Sequence, residues 1–170
     1  SREIFSAYCC EVIMRSGRRF YSYVGFPNSD GGYVLRSHQG KRCTSAFPTF
    51  ISTEGVLCSS PSSGRVAVFE GFFDFLSLLQ LCGRTVPDCD VCVLNSVTNL
   101  DKALPFILSH GYVETYLDND EAGRKATERI RTGVLAHTGR MDDMSCHYSG
   151  FNDVNDYLKG KGNTPFKIIS

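Results

Sequence analysis

What this chain lacks narrows what it can be. No apolar run in its 170 residues approaches the roughly 20 needed to cross a membrane. The start, Ser1-Arg2-Glu3, carries neither a secretory leader nor a methionine, so we expect a cytoplasmic protein and an excised fragment. Net charge is zero, with 18 Lys+Arg against 18 Asp+Glu, so bulk charge does not announce a polyanion partner. There is no internal repeat and no low-complexity tract. No serine or cysteine stands in a nucleophile motif, and His38, His110, His137 and His147 show no ligand spacing.

What is present is ordinary globular material, 42% hydrophobic and 21% charged. Its length suits one well-cored domain or two small lobes. Charge is unevenly placed. Residues 1–64 hold seven Lys/Arg against four acids (+3), and the remainder eleven against fourteen (−3). A basic lobe beside an acidic one suits nucleic-acid or nucleotide binding. Eight cysteines are compatible with disulfides, but the absent leader favours a reduced protein. Cys89-Asp90-Val91-Cys92 has the spacing of a zinc pair without a second pair to complete it.

Residues 1–50 read as strand-rich. Phe20–Phe26 and Tyr33–Arg36, separated by Pro27-Asn28-Ser29-Asp30-Gly31-Gly32, predict a β-hairpin. Ser59–Gly64 is small, polar and breaker-rich, and is the expected boundary between lobes 1–64 and 65–170. Beyond Arg65 strands and helices alternate. Strands are expected at 66–69, 91–94, 112–117 and 144–148. Helices are expected at 72–82, about 99–109, 121–136 and 152–158. Repeated β–α units imply a mainly parallel sheet flanked by helices, an α/β fold preceded by a smaller strand-rich α+β lobe.

Polar residues fall at the ends of these strands. Glu70, Asn95 and Asp118 each follow one directly, and Asp153 lies a short loop beyond the fourth. In open α/β sheets ligands bind beyond the carboxyl ends of the strands. Asp118 and Asp120 would share a face if the strand continued through them. Clustered carboxylates cannot all stay ionised unless a cation joins them. Oxygen ligands alone favour Mg²⁺ or Mn²⁺, and with them phosphoryl chemistry. Any one of these acids could instead cap a helix, Asp153 most readily. Gly71 and Gly123 leave room for ligand or backbone just past the acids. Arg124 is placed to contact phosphate, and Asn95 stands with it as a nucleotide-side candidate. Asp74, the lone acid of an apolar helix, is expected to orient the surroundings of Glu70 rather than ligate. A dinucleotide fold would need Gly-x-Gly-x-x-Gly where Glu70-Gly71-Phe72-Phe73 stands.

Glu70-Gly71-Phe72-Phe73-Asp74, Asp118-Asn119-Asp120-Glu121-Ala122-Gly123-Arg124 and Asp153-Val154-Asn155 resemble, in order and spacing, the Toprim domain, over about residues 65–160. Within that superfamily the chain looks most like the bacterial-type DNA primases. The resemblance implies a Toprim (Rossmann-like) fold. It also implies nucleotidyl transfer from ribonucleoside triphosphates, making RNA primers on single-stranded DNA with Mg²⁺ or Mn²⁺. Glu70, Asp118 and Asp120 would be catalytic and hold the metal, with Asp153 as an accessory ligand and Arg124 near phosphate. Arg15, Arg18 and Arg19 would contact DNA, and a helicase would be a partner. Zn²⁺ would belong only to a domain outside this chain. Asn155 departs from the two-acid third motif of many replicative primases and can ligate only through a neutral carbonyl, which suggests a mobile-element relative. The alternatives are a Toprim nuclease, a topoisomerase- or recombination-type factor, and a silent DNA-binding module.

Overall fold

The structure, a computed structural model, describes residues 1–161. It opens with a short helix, α1 (Arg2–Tyr8), whose buried Ile4 and Tyr8 lie one helical turn apart. Four antiparallel strands follow in sequence order: β1 (Cys10–Ser16), β2 (Arg19–Pro27), β3 (Tyr33–Ser37) and β4 (Gly40–Cys43). The expected hairpin is the β2–β3 pair, with Pro27 opposite Tyr33. Asn28 closes its turn by accepting from the Gly32 and Asp30 amides.

The second sheet has five strands in the order β5-β7-β6-β8-β9. These are β5 (Thr49–Ile51), β6 (Arg65–Phe69), β7 (Asp90–Val93), β8 (Tyr112–Tyr116) and β9 (Arg140–Asp143). All pair in parallel except β5, an antiparallel edge on β7. β5 therefore belongs by hydrogen bonding to the second sheet, although it precedes residue 64. Ser62 and Ser63 are also tied down, their amides donating to buried Asp90 at 2.6 and 3.0 Å. His110 Nε2 meets the same carboxylate at 3.0 Å.

The crossover helices are α2 (Phe72–Leu81), α3 (Leu100–Leu108) and α4 (Glu121–Ala136). β6, β7 and β8 are buried along nearly their whole length, as strands covered on both faces must be. Ala67, Phe69, Val91 and Val93 pack with α2 on one face. Val66, Val68, Cys92 and Val113 pack with α3 and α4 on the other. The first lobe rests on α2 through Phe26 stacked on Phe72, centroids 4.8 Å apart, and Tyr8 edge-on to Phe75 at 5.0 Å. Each such buried ring contributes about 2–3 kcal/mol. Among the described residues no helix is long and apolar enough to cross a membrane.

One expected strand is corrected. Residues 144–148 form a 3₁₀ helix, and the fourth parallel strand is β9, just before it. Asp143 starts that helix by accepting from the Ser145 amide at 3.0 Å. Met144 and Tyr148 are its buried residues. β9 is a polar edge strand, so no apolar run marked it. The last helix, α5 (Val154–Lys161), starts two residues later than expected.

Candidate metal and phosphate site

β6 lies at the centre of the sheet. From it the chain passes over one face through α2, and from its neighbour β8 over the other through α4. Adjacent strands whose connections part in this way leave a crevice beyond their carboxyl ends. Phe69 pairs with Tyr116 in register, their rings stacked 5.0 Å apart. Glu70 is thus one residue past β6 and Asp118 two past β8, at adjacent strand ends.

Asp118 and Asp120 do not share a pleat, because β8 has already ended. Asp120 is the N-cap of α4 and accepts from the Gly123 amide at 2.8 Å. Asp153 does the same for α5, accepting from Asp156 at 2.6 Å. Both capping roles are realised, and each leaves a second carboxylate oxygen. Asn119 laces the loop in place: its amide donates to Asn152 O at 2.6 Å and its carboxamide to Phe151 O at 2.9 Å. Asn152 Nδ2 donates to Asp118 Oδ2 at 3.2 Å. This lacing brings Asp153 within electrostatic reach of Asp118.

The acids raise one another. Burial, then Asp118 and Asp120, push Glu70 up to about 7, despite a bond from the Asp118 amide and the attraction of Lys41. Burial, then Asp153 and Asp120, push Asp118 up to about 6. Glu70 Oε2 is buried without a hydrogen-bond partner. An orphaned carboxylate oxygen among mutually repelling acids fits a hard divalent cation. Among the described residues no three His, Cys, Asp or Glu side chains already form a ligating cluster. Waters or substrate oxygens would complete the coordination of Mg²⁺ or Mn²⁺ here.

Asp74 sits behind this group, buried, accepting from the Asn155 amide at 3.2 Å. Gly71 makes room for it, since a Cβ there would stand 3.0 Å from Asp74 Oδ2. Burial, then Asp153, push Asp74 up to about 8. The folded value lies above the ordinary carboxylate value of about 4, so the fold holds a proton that the unfolded chain releases. Stability from this group falls as pH rises from about 4 through 8. Asp74→Asn removes that penalty and keeps the acceptor for Asn155. We expect little change in melting at pH 4 and a Tm higher by about 3–6 °C at pH 8. Paired thermal melts at the two pH values check this.

One participant was not anticipated. Lys41, on β4 of the other sheet, places its Nζ on the carbonyl of Asn95 and within electrostatic reach of Glu70 and Asp118. Lys41 is an exposed residue, yet partial desolvation of its amine, then Arg36, lower its pKa. Only a cross-lobe contact brings it here, and its sequence signal is no more than a basic pair, Lys41-Arg42, after a turn. Asn95 serves this arrangement through its backbone. Its carboxamide is turned inward to Phe47 O at 3.0 Å and Thr49 Oγ1 at 2.9 Å, and its φ is +62°. Arg124 is exposed on the first turn of α4, with Nη1 donating to Asn119 O at 2.6 Å. Arg15, Arg18 and Arg19 lie apart from the acids, exposed around the β1–β2 turn.

Residues 67–158 match the family described as Toprim-like. Residues 1–45 match a domain of unknown function (DUF8464). No protein among those with curated functions matches the chain. The fold is shared with the primase fragment of the bacteriophage T7 primase–helicase protein: 17% identity and TM-score 0.61, over 96% of this chain and 67% of that one. It is shared with the zinc-binding and RNA polymerase domains of the Aquifex aeolicus primase: 16% identity and TM-score 0.53, over 89% of this chain and 41% of that one. A bacteriophage T7 complex, in which a lagging-strand DNA polymerase meets primase domains bound to an RNA/DNA hybrid and dTTP, gives 18% identity and TM-score 0.56, over 89% and 77%.

Proposed function

We propose a function from one premise: the chain belongs to the Toprim-like family. Its acidic crevice is the phosphoryl-transfer centre of a primase-type enzyme, joining ribonucleoside triphosphates into an RNA primer on single-stranded DNA. The observation that carries this is Lys41, a cation delivered by the first lobe to carboxylates gathered by the second. Acids alone would serve metal-dependent hydrolysis equally well. A cation at their mouth adds a seat for the polyphosphate of an incoming nucleotide.

Glu70, Asp118 and Asp120 would hold Mg²⁺ or Mn²⁺, with Asp153 as an accessory ligand. The cation, when bound, neutralises charge that develops on the transferring phosphoryl group. Arg124, one helical turn from the acids, is free to swing from Asn119 O to a phosphate oxygen. Asn95 orients Lys41 through its carbonyl, and neutral Asp74 limits the negative charge beneath Glu70. Residues 1–64 would hold the template, through Arg15, Arg18 and Arg19, and the lobe from residue 65 onward the chemistry. The T7 neighbour comes from a primase–helicase protein, which supports a helicase as partner of the intact protein. The nuclease reading uses the same acids without need of Lys41.

The test is primer synthesis by the intact protein on single-stranded DNA with labelled ribonucleotides. We expect short RNA products that require both template and divalent cation. DNA cleavage without RNA synthesis would establish the nuclease reading. DNA binding with neither activity would establish a silent module.

A further inference from the structure

Phe20 is 70% exposed and Ile13 63%, and both lie on the β1–β2 hairpin. Register puts them on one face of the first sheet. Ile13 opposes Ser22 and Arg15 opposes Phe20, and cross-strand partners share a face. Residues two apart also share a face, so Glu11 and Val24 belong to it. Val24 opposes Arg36, and Arg36 opposes Lys41. This face therefore runs from Lys41, at the acidic crevice, past half-buried Arg36 and Val24, the latter packed at the edge of the core, out to Phe20. Val24 and Phe20 are about 14 Å apart along β2, at roughly 3.4 Å per residue.

A single exposed apolar side chain is ordinary on a protein surface. Here a bare aromatic ring stands opposite Arg15, beside the Arg18 and Arg19 turn, on the face that leads to the crevice. Glu11 is the one acid of its rows, and Ser22 Oγ donates to it at 2.6 Å. Aromatic faces flanked by guanidinium groups match unpaired bases flanked by phosphates. A purely apolar protein partner would give this surplus of positive charge nothing to meet.

We infer that this face is the track of the single-stranded template, with Phe20 as a base-stacking platform, Arg15 taking phosphate beside it on the same face and Arg18 taking phosphate at the turn. The identity of the strand rests on the function proposed above, but the stacking site can be tested without turnover. Because Phe20 is exposed, truncating it opens no cavity, and an unchanged melting curve verifies the fold. The probes are a fluorescein-labelled 20-mer of dT, the same length of rU, and a duplex.

Phe20→Ala should bind dT about ten-fold more weakly. Phe20→Trp introduces the sole tryptophan of the chain, and its emission should be quenched by dT at near-parental affinity and left unchanged by duplex. Equal quenching by rU would widen the track to RNA. Parental affinity in Phe20→Ala would overturn the inference, as would unquenched emission at saturating dT. So would a variant that altered only self-association. Stacking without primer synthesis would leave this site standing and remove the function. Primer synthesis with Phe20-independent binding would do the reverse.

Discussion

Glu70→Gln should lower the rate of primer synthesis by about a hundred-fold or more. The substitution keeps the side chain's size and one carbonyl oxygen, and removes the charge. Glu70 already carries a buried oxygen without a partner among other acids, so a neutral group there costs the fold less than the native carboxylate does. The native carboxylate is held up at about 7, mainly by burial and then by Asp118. The variant should therefore melt no lower than the parent at pH 8 while losing turnover. That pairing separates a functional loss from a folding loss. Equal turnover by variant and parent would remove Glu70 from the reaction centre.

Gly123→Ala should have the largest structural effect. A Cβ on Gly123 would lie well inside contact distance of the Asp118 carbonyl oxygen and 2.9 Å from its carbonyl carbon. Both are backbone atoms, which cannot rotate away as a side chain can. The Gly123 amide is also the donor that Asp120 caps. Either α4 or the Asp118–Asp120 loop must move, at a cost of about 3 kcal/mol, the upper end of ordinary overpacking. Chemical denaturation should register that loss, and primer synthesis should fall with it because two of the proposed metal ligands are displaced. Parental stability would mean that the loop is looser than its hydrogen bonds indicate.

The centre of this arrangement was legible in the chain. A buried strand followed at once by an acid, repeated at Glu70 and Asp118, places carboxylates because parallel sheets send every strand end to one edge. Asp120 was legible in two ways, as a ligand and as a cap three residues before Gly123, and the fold uses the cap. Other parts left no local trace. β9 is polar because it is an edge, so periodicity passed over it in favour of the apolar residues 144–148. Helix α1 is only seven residues long and buries just Ile4 and Tyr8, too little pattern to stand out from its strand-rich surroundings. Lys41 reaches the acids from residues far away in sequence, through the packing of Phe26 on Phe72. No window of sequence around Lys41 contains that contact. Asn95 sat where a ligand-facing residue was expected. Its left-handed backbone turned the carboxamide inward and left only the carbonyl facing Lys41.

The central claim is that acids from the ends of β6 and β8 together form a divalent-cation site. It is tested most directly by Mn²⁺ titration of the chain, followed by electron paramagnetic resonance at pH 8, above the raised values of Glu70 and Asp118. The parent should bind weakly, since several coordination positions are left to water. Asp118→Asn and Asp120→Asn should each bind about ten-fold more weakly or not at all. Equal Mn²⁺ binding by both variants and the parent would contradict the account.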